Sequence, residues 1–335
     1  MRKLFLLLLL PLFSVAQKTG YHAYKIDLAQ VVNDRVKVEV DARKMNFDNA
    51  LEEVRFQFPA TIPGTYATLD YGRFIHDFKA FDESGKSLKV NHKKNTFTIK
   101  GTPAKLEYWV DDSFDAKVRK NHIFEPAGTN NQEGRNFLLN EAGYFGFFEG
   151  NEELPVTLEA IKSPTLYGLS AMKSYTYGNT QNFNARSYHH FLDCPIMFAK
   201  PDTTSFRLAN AKVSIGVFTE NGRALSEDIY DQVETSMKAI ESFLGGTLPV
   251  DNYAFLFYIK DYSEFQGLVE GTEINARIIL KAIRELAGQG FGALEHGNSS
   301  VYFLPDFGND MVLDGMADVC IHEFFHILTP LGLHS

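Results

Sequence analysis

The feature that most constrains this 335-residue chain is a short run near its end, His322-Glu323-Phe324-Phe325-His326. It lies in a segment, 312–328, rich in apolar residues: Met316, Ala317, Val319, Cys320, Ile321, Phe324, Phe325, Ile327 and Leu328. The pattern predicts a helix over 312–328, and a helix apolar on most sides is buried. Its carboxylates are Asp314, Asp318 and Glu323. Two histidines four residues apart share one helix face. Burying them beside a carboxylate without partners is costly. A zinc ion on His322 and His326 accounts for them, with Glu323 in reach of a water on that zinc. The plainer alternative is a hydrogen-bonded pair of core histidines beside an exposed Glu323, and the apolar surroundings count against it. A catalytic zinc keeps three protein ligands and one open position, so the motif alone is incomplete. Cys320, two residues before His322, points to a different face and is not the third ligand.

The N-terminus reads Met1-Arg2-Lys3, an apolar run over 4–15, then Ala16-Gln17. A basic start, a short apolar stretch and a small-residue site are the pattern of a secretory signal peptide, 1–16. The run is too short to span a bilayer and contains Pro11, and no later stretch is longer. We expect a secreted or periplasmic protein with no stable membrane anchor after cleavage. The net charge of −9 argues against nucleic acid and anionic membrane surfaces as partners. The two cysteines, Cys194 and Cys320, could form one bridge in an oxidising compartment. They fall in different expected domains, which weighs against it.

The expected fold class is α+β, beginning with an all-β, sandwich-like domain over 17–205. Alternating apolar residues predict strands over 21–28, 35–41, 54–58, 74–81, 96–100, 105–110 and 154–158. Asn33-Asp34, Glu83-Ser84-Gly85 and Gly101-Thr102-Pro103 mark turns between them. The 29 Phe and 15 Tyr suit an aromatic-packed β-protein. Phe58-Pro59-Ala60-Thr61-Ile62-Pro63-Gly64-Thr65-Tyr66 reads as a rigid structural connection, with a binding role as the lesser alternative. His189-His190, taken as strand neighbours, would point to opposite faces and so are not expected to share a metal. From 206 the pattern changes. A strand over 213–218 precedes a helix over 226–244, capped by Ser226 and stopped by Gly245-Gly246. A buried strand over 253–259, a helix over 276–287, a β-run over 292–304 and a loop over 305–309 lead into the final helix.

Gly292-Ala293-Leu294-Glu295-His296, then Asn298-Ser299, with His322-Glu323-Phe324-Phe325-His326 further on, resembles the glycyl aminopeptidase family of gluzincin zinc metallopeptidases. Pro59 with Pro63-Gly64-Thr65-Tyr66 resembles the N-terminal signature of that family. The resemblance implies a β-domain followed by a thermolysin-like catalytic domain, of which 206–335 is the first, incomplete part. It also implies a PDZ domain and one zinc ion on His322, His326 and a Glu beyond Ser335. The activity it implies is an aminopeptidase acting on peptides with a free N-terminus, with Gly and Ala preferred. Glu323 is then the general base. Glu295 pairs with the substrate α-amine, and Gly292 and Ala293 belong to the same substrate-binding strand. Ile327-Leu328-Thr329-Pro330-Leu331 departs from the aromatic continuation of many members. The stretch up to Ser335 is expected to be inactive by itself. Two other readings stay open: a non-catalytic peptide-binding protein with a degenerate peptidase domain, and a secreted zinc endopeptidase with no need of Glu295. Apart from the resemblance, Glu295 reads as a charge that protects an edge strand from aggregation.

Overall fold

The structure, a computed structural model, describes residues 19–328 apart from 48–50, 66, 117–120, 273–275, 288 and 314. The expected signal peptide, Tyr66, Asp314 and the segment from 329 onward lie outside the described residues.

Alternation builds the first part. His22–Val32 turns His22, Tyr24, Ile26 and Leu28 inward, and Arg35–Asp41 does the same with Val36, Val38 and Val40. The two pair antiparallel through Asn33 and Asp34, whose φ angles of 50° and 64° match the twist of a tight hairpin. Val156–Ile161 flanks His22–Val32 in parallel on its other side, within an eight-stranded sheet. Two four-stranded sheets complete this part. One contains Asn136–Leu139 and Ile196–Ala199, the other Glu53–Gln57 and Thr96–Lys100. All three share one core with Tyr24, Phe56, Tyr108, Phe145 and Phe148. Each such side chain contributes about 1.5–3 kcal/mol by leaving water. The buried hydroxyls are satisfied: Tyr71 donates to the Ala127 carbonyl at 2.6 Å and Tyr108 to that of Tyr144 at 2.9 Å.

The second part is a five-stranded sheet in the order Thr203–Leu208, Ala211–Thr219, Asn252–Asp261, Ser299–Asp306, Gly292–Glu295. Its three inner strands run parallel and its two edges antiparallel. Thr203–Leu208, which straddles the expected domain boundary, pairs with this sheet. Parallel strands covered on both faces read as continuous apolar runs, and Asn252–Asp261 is one. Tyr253, Phe255, Phe257 and Ile259 pack with the helices Ser226–Phe243 and Met316–Phe325. Ala254, Leu256 and Tyr258 pack into the core of the first part. The sheet is thus a shared wall between the two parts. No described helix is long and apolar enough to cross a membrane.

Four local expectations need correction. Leu225, not Ser226, holds the N-cap of Ser226–Phe243, and the Asp202 carboxylate accepts from the N–H groups of both at 2.8 and 3.3 Å. The run 292–304 is a hairpin, Gly292–Glu295 and Ser299–Asp306, and its second strand continues through Pro305. The final helix is divided. A 3-10 turn, Asp310–Val312, precedes Met316–Phe325, because Gly315 adopts a left-handed φ of 71°. His326 follows the helix as its C-cap. His189 and His190 lie on a short helix, Tyr188–Leu192, not on a strand. Cys194 and Cys320, whose bridging the sequence weighed against, are both free, one in each core.

Candidate metal centre

The helix Met316–Phe325 lies against the second sheet through Met316, Cys320 and Phe324. That anchoring fixes the rotation of the helix. It leaves Glu323 buried and His322 exposed in the last turn. The rings of His322 and His326 meet at a centroid distance of 5.1 Å, nearly perpendicular. Glu295 arrives from the edge strand Gly292–Glu295, where it pairs with Ser300. Ligand atoms of Glu295, Glu323 and His326 all lie within 4.8 Å of one another. His322 stands outside that trio and meets it through the His326 ring.

Burial pushes the Glu323 carboxyl above its ordinary range. The charge of Glu295 adds to this, and His322 and His326 oppose it. Its Oε2 is buried with no hydrogen-bond partner. An orphaned carboxylate oxygen within 4.8 Å of an imidazole and a second carboxylate offers nitrogen and oxygen donors that zinc takes, so Glu295, Glu323 and His326 fit an ion, with His322 adjacent to His326.

The loop 58–65 is part of the site, where its reading had favoured a structural connection over a binding role. Leu69 and Asp70 donate to the Ala60 carbonyl at 2.7 and 3.0 Å, the Thr65 hydroxyl donates to that of Ile62 at 3.0 Å, and Ile62 is buried. This holds Gly64, at φ 86°, against Glu295. A Cβ there would lie 2.9 Å from each carboxylate oxygen. The one local signal was a glycine between Pro63 and Thr65 in a rigid turn.

A cleft of about 930 Å³ opens from His326 between the two parts. Pro63, His189 and Asp193 line it from one side, Asp251, Gly297 and Asn298 from the other. Asp193 clamps the hairpin turn: its carboxylate accepts from the Gly297 N–H at 3.2 Å and its carbonyl from the Ser299 hydroxyl at 3.0 Å. Gly292 faces Phe124 and Ala293 packs with the second core, so neither is among the residues lining this cleft. His296 is buried directly behind Glu295. Its Nε2 is unpartnered, and desolvation lowers its pKa to about 4.

Comparison with known proteins follows this geometry. An aminopeptidase N family protein from Idiomarina loihiensis has a similar fold, with a TM-score of 0.64 at 20% identity over 91% of this chain and 47% of that one. The chain thus spans just under half the length of that protein. An M1 zinc metallopeptidase from Deinococcus radiodurans gives a TM-score of 0.44 at 9% identity, over 92% of this chain and 63% of that one. At 20% identity the likeness to the Idiomarina loihiensis protein concerns the fold alone. No curated protein matches the chain. The family described as peptidase M61 N-terminal domain matches residues 23–200, more than half of the sequence, and the chain belongs to that family.

Proposed function

We propose that this chain carries the β-domain and the metal-binding helix of a zinc-dependent aminopeptidase. On this reading the protein removes small N-terminal residues from peptides in a secreted or periplasmic setting. The observation that carries it is the convergence of Glu295, Glu323 and His326, with His322 against His326. His322 and His326 would hold one zinc ion, and the gluzincin resemblance adds a Glu as the third ligand. The chemistry such an ion supplies is Lewis acidity, which makes a water more acidic and polarises a peptide carbonyl.

The remaining roles belong to the chain's own groups. Glu323 is buried, with a raised pKa and one unpartnered oxygen. That suits a carboxylate that takes a proton from the attacking water and passes it to the leaving amine. Glu295 lies within ligand reach of the same centre and would pair with the substrate α-ammonium. The preference for Gly and Ala rests on the resemblance to the glycyl aminopeptidase family. The cleft by itself also supports a non-catalytic peptide-binding protein, which zinc content and turnover separate from the enzyme.

The test is zinc analysis with hydrolysis of glycyl and alanyl chromogenic amides, on the protein as encoded and on His322→Ala. About one zinc per chain is expected, with zinc and activity both lost in the variant. Activity that survives His322→Ala would overturn the reading. Cleavage of N-acetylated peptides as fast as free ones would turn it into an endopeptidase.

A further inference from the structure

Two cations line the cleft that opens from His326, and the chemistry above uses neither. Lys173 begins the strand Lys173–Tyr177, at the edge of the eight-stranded sheet, directly opposite Asn184. Arg186 follows Thr180–Ala185, the strand that carries Asn184. The hairpin therefore sets Lys173, Asn184 and Arg186 together on one wall of the cleft. Both cations are exposed, and neither has an ion-pair partner among the described residues.

The other charged or titratable groups on this cleft are His189, His190, Asp193, Asp251 and His326. His189 faces Glu153 at 3.6 Å. Asp193 is engaged by the Gly297 N–H; burial pushes its carboxyl up, and His189 and Arg186 oppose this. Arg186 acts on Asp193 through space and Asp251 lines the same cleft, so the charge of this wall is partly offset, but neither Lys173 nor Arg186 is held in an ion pair among the described residues and both stay open to a ligand carboxylate. Pro63 lines the same cleft, and its neighbour Gly64 abuts the Glu295 carboxylate. The Glu295 carboxylate lies just beyond the lining at Pro63 and His326, and the two cations stand on another part of the wall. That order complements a molecule with an ammonium at one end and a carboxylate at the other. A volume of about 930 Å³ is at the upper end of small-ligand pockets and gives room for a short peptide.

We propose that Lys173 and Arg186 form a carboxylate-binding subsite that makes short peptides the preferred substrate class. The proposal rests on the aminopeptidase reading for the orientation of the peptide, with its amine at Glu295. Arg186 offers a planar fork that matches a carboxylate, and Lys173 adds a point charge. Exposed pairs of this kind are individually modest and weaken with salt. The carboxylate can be the peptide C-terminus or an acidic side chain at the same reach.

Three substrates separate these sources: triglycine, triglycine amide, and Gly-Gly-Asp amide, each measured with the protein as encoded and with Lys173→Gln/Arg186→Gln. Triglycine is expected to exceed its amide in kcat/KM by about threefold to tenfold, through KM and less so at high salt. The double variant should bring that ratio to about one. Gly-Gly-Asp amide ranking with triglycine makes any carboxylate at that reach the ligand, and ranking with triglycine amide makes it the peptide C-terminus. Both outcomes uphold the subsite. Equal values for all three peptides on the unsubstituted protein overturn it. If no peptide is cleaved, the aminopeptidase reading fails. Calorimetric affinities for the same three peptides then decide the subsite, and equal affinities overturn it.

Discussion

A Cβ added to Gly64 would lie 2.8 Å from the Cδ of Glu295, although 230 residues of chain separate the two. The loop that carries Gly64 is braced within the first part, while Glu295 ends an edge strand of the second. The position of the carboxylate is therefore set by the docking of the two parts. Gly64→Ala introduces both a clash and an unfavourable left-handed φ, at a conformational cost of about 1 kcal/mol. The displaced carboxylate should raise KM for peptides with a free amine by about tenfold, with a smaller change in kcat. N-acetylated peptides should be almost unaffected, so the discrimination between the two shrinks. Equal losses on both substrates would reduce the loop to a structural brace.

Glu323→Gln keeps size and shape in a buried position while removing proton acceptance. Turnover should fall by about 10²–10⁴-fold, and zinc content should stay as it was. The fold should be retained or slightly strengthened, because burial already disfavours the charged form of this side chain. Metal analysis, a thermal melt and steady-state rates on one preparation check all three. Undiminished turnover would assign the base to another group.

What could be read from the sequence follows from how far each determinant reaches. Tyr24, Ile26 and Leu28, and Val36, Val38 and Val40, announce strands because each strand has one wet face. The run over 253–259 reads as buried for the converse reason, with one face on the helices and the other on the first core. Asn136–Leu139 and Ile196–Ala199 went unread. All their residues are buried, so they show no alternation, and they are four residues long. The cap at Leu225 comes from Asp202, outside the local window in which Ser226 looked sufficient. The histidine spacing pointed to the centre, but the break at Gly315 and the end of the helix at Phe325 came from backbone conformation and packing. Nothing local could bring Gly64 to Glu295.

Zinc should stabilise the protein as well as activate it. A ligand bound only by the native state adds about 2.7 kcal/mol when present at a hundredfold excess over its Kd. His322 and His326 lie at the end of the helix that covers the second core, so the gain should appear as a higher Tm for that part. Melts with and without zinc, repeated on His326→Ala, check it. The variant should show no zinc-dependent rise. An identical rise in both proteins would place the ion elsewhere.

His296 should make stability depend on acid. Its ring is buried, one nitrogen hydrogen-bonded to the Leu192 backbone and the other unpartnered, and desolvation lowers its pKa from 6.5 to about 4. An unfolded histidine binds its proton near 6.5, whereas the folded one binds it only near 4. Between these values unfolding takes up a proton, so the stability due to an uncharged His296 is complete above pH 6.5 and is lost as pH falls toward 4. The full effect is up to ~3 kcal/mol. Asp112, pushed up to about 7 by burial, acts in the opposite sense over an overlapping range, so the wild-type curve alone does not isolate His296. His296→Asn keeps a donor for Leu192 and cannot titrate. Denaturant unfolding of both proteins between pH 4 and 7 should show the wild type losing stability toward acid relative to the variant. Parallel curves would mean that the ring is hydrated in the native protein and takes its proton there as readily as in the unfolded chain.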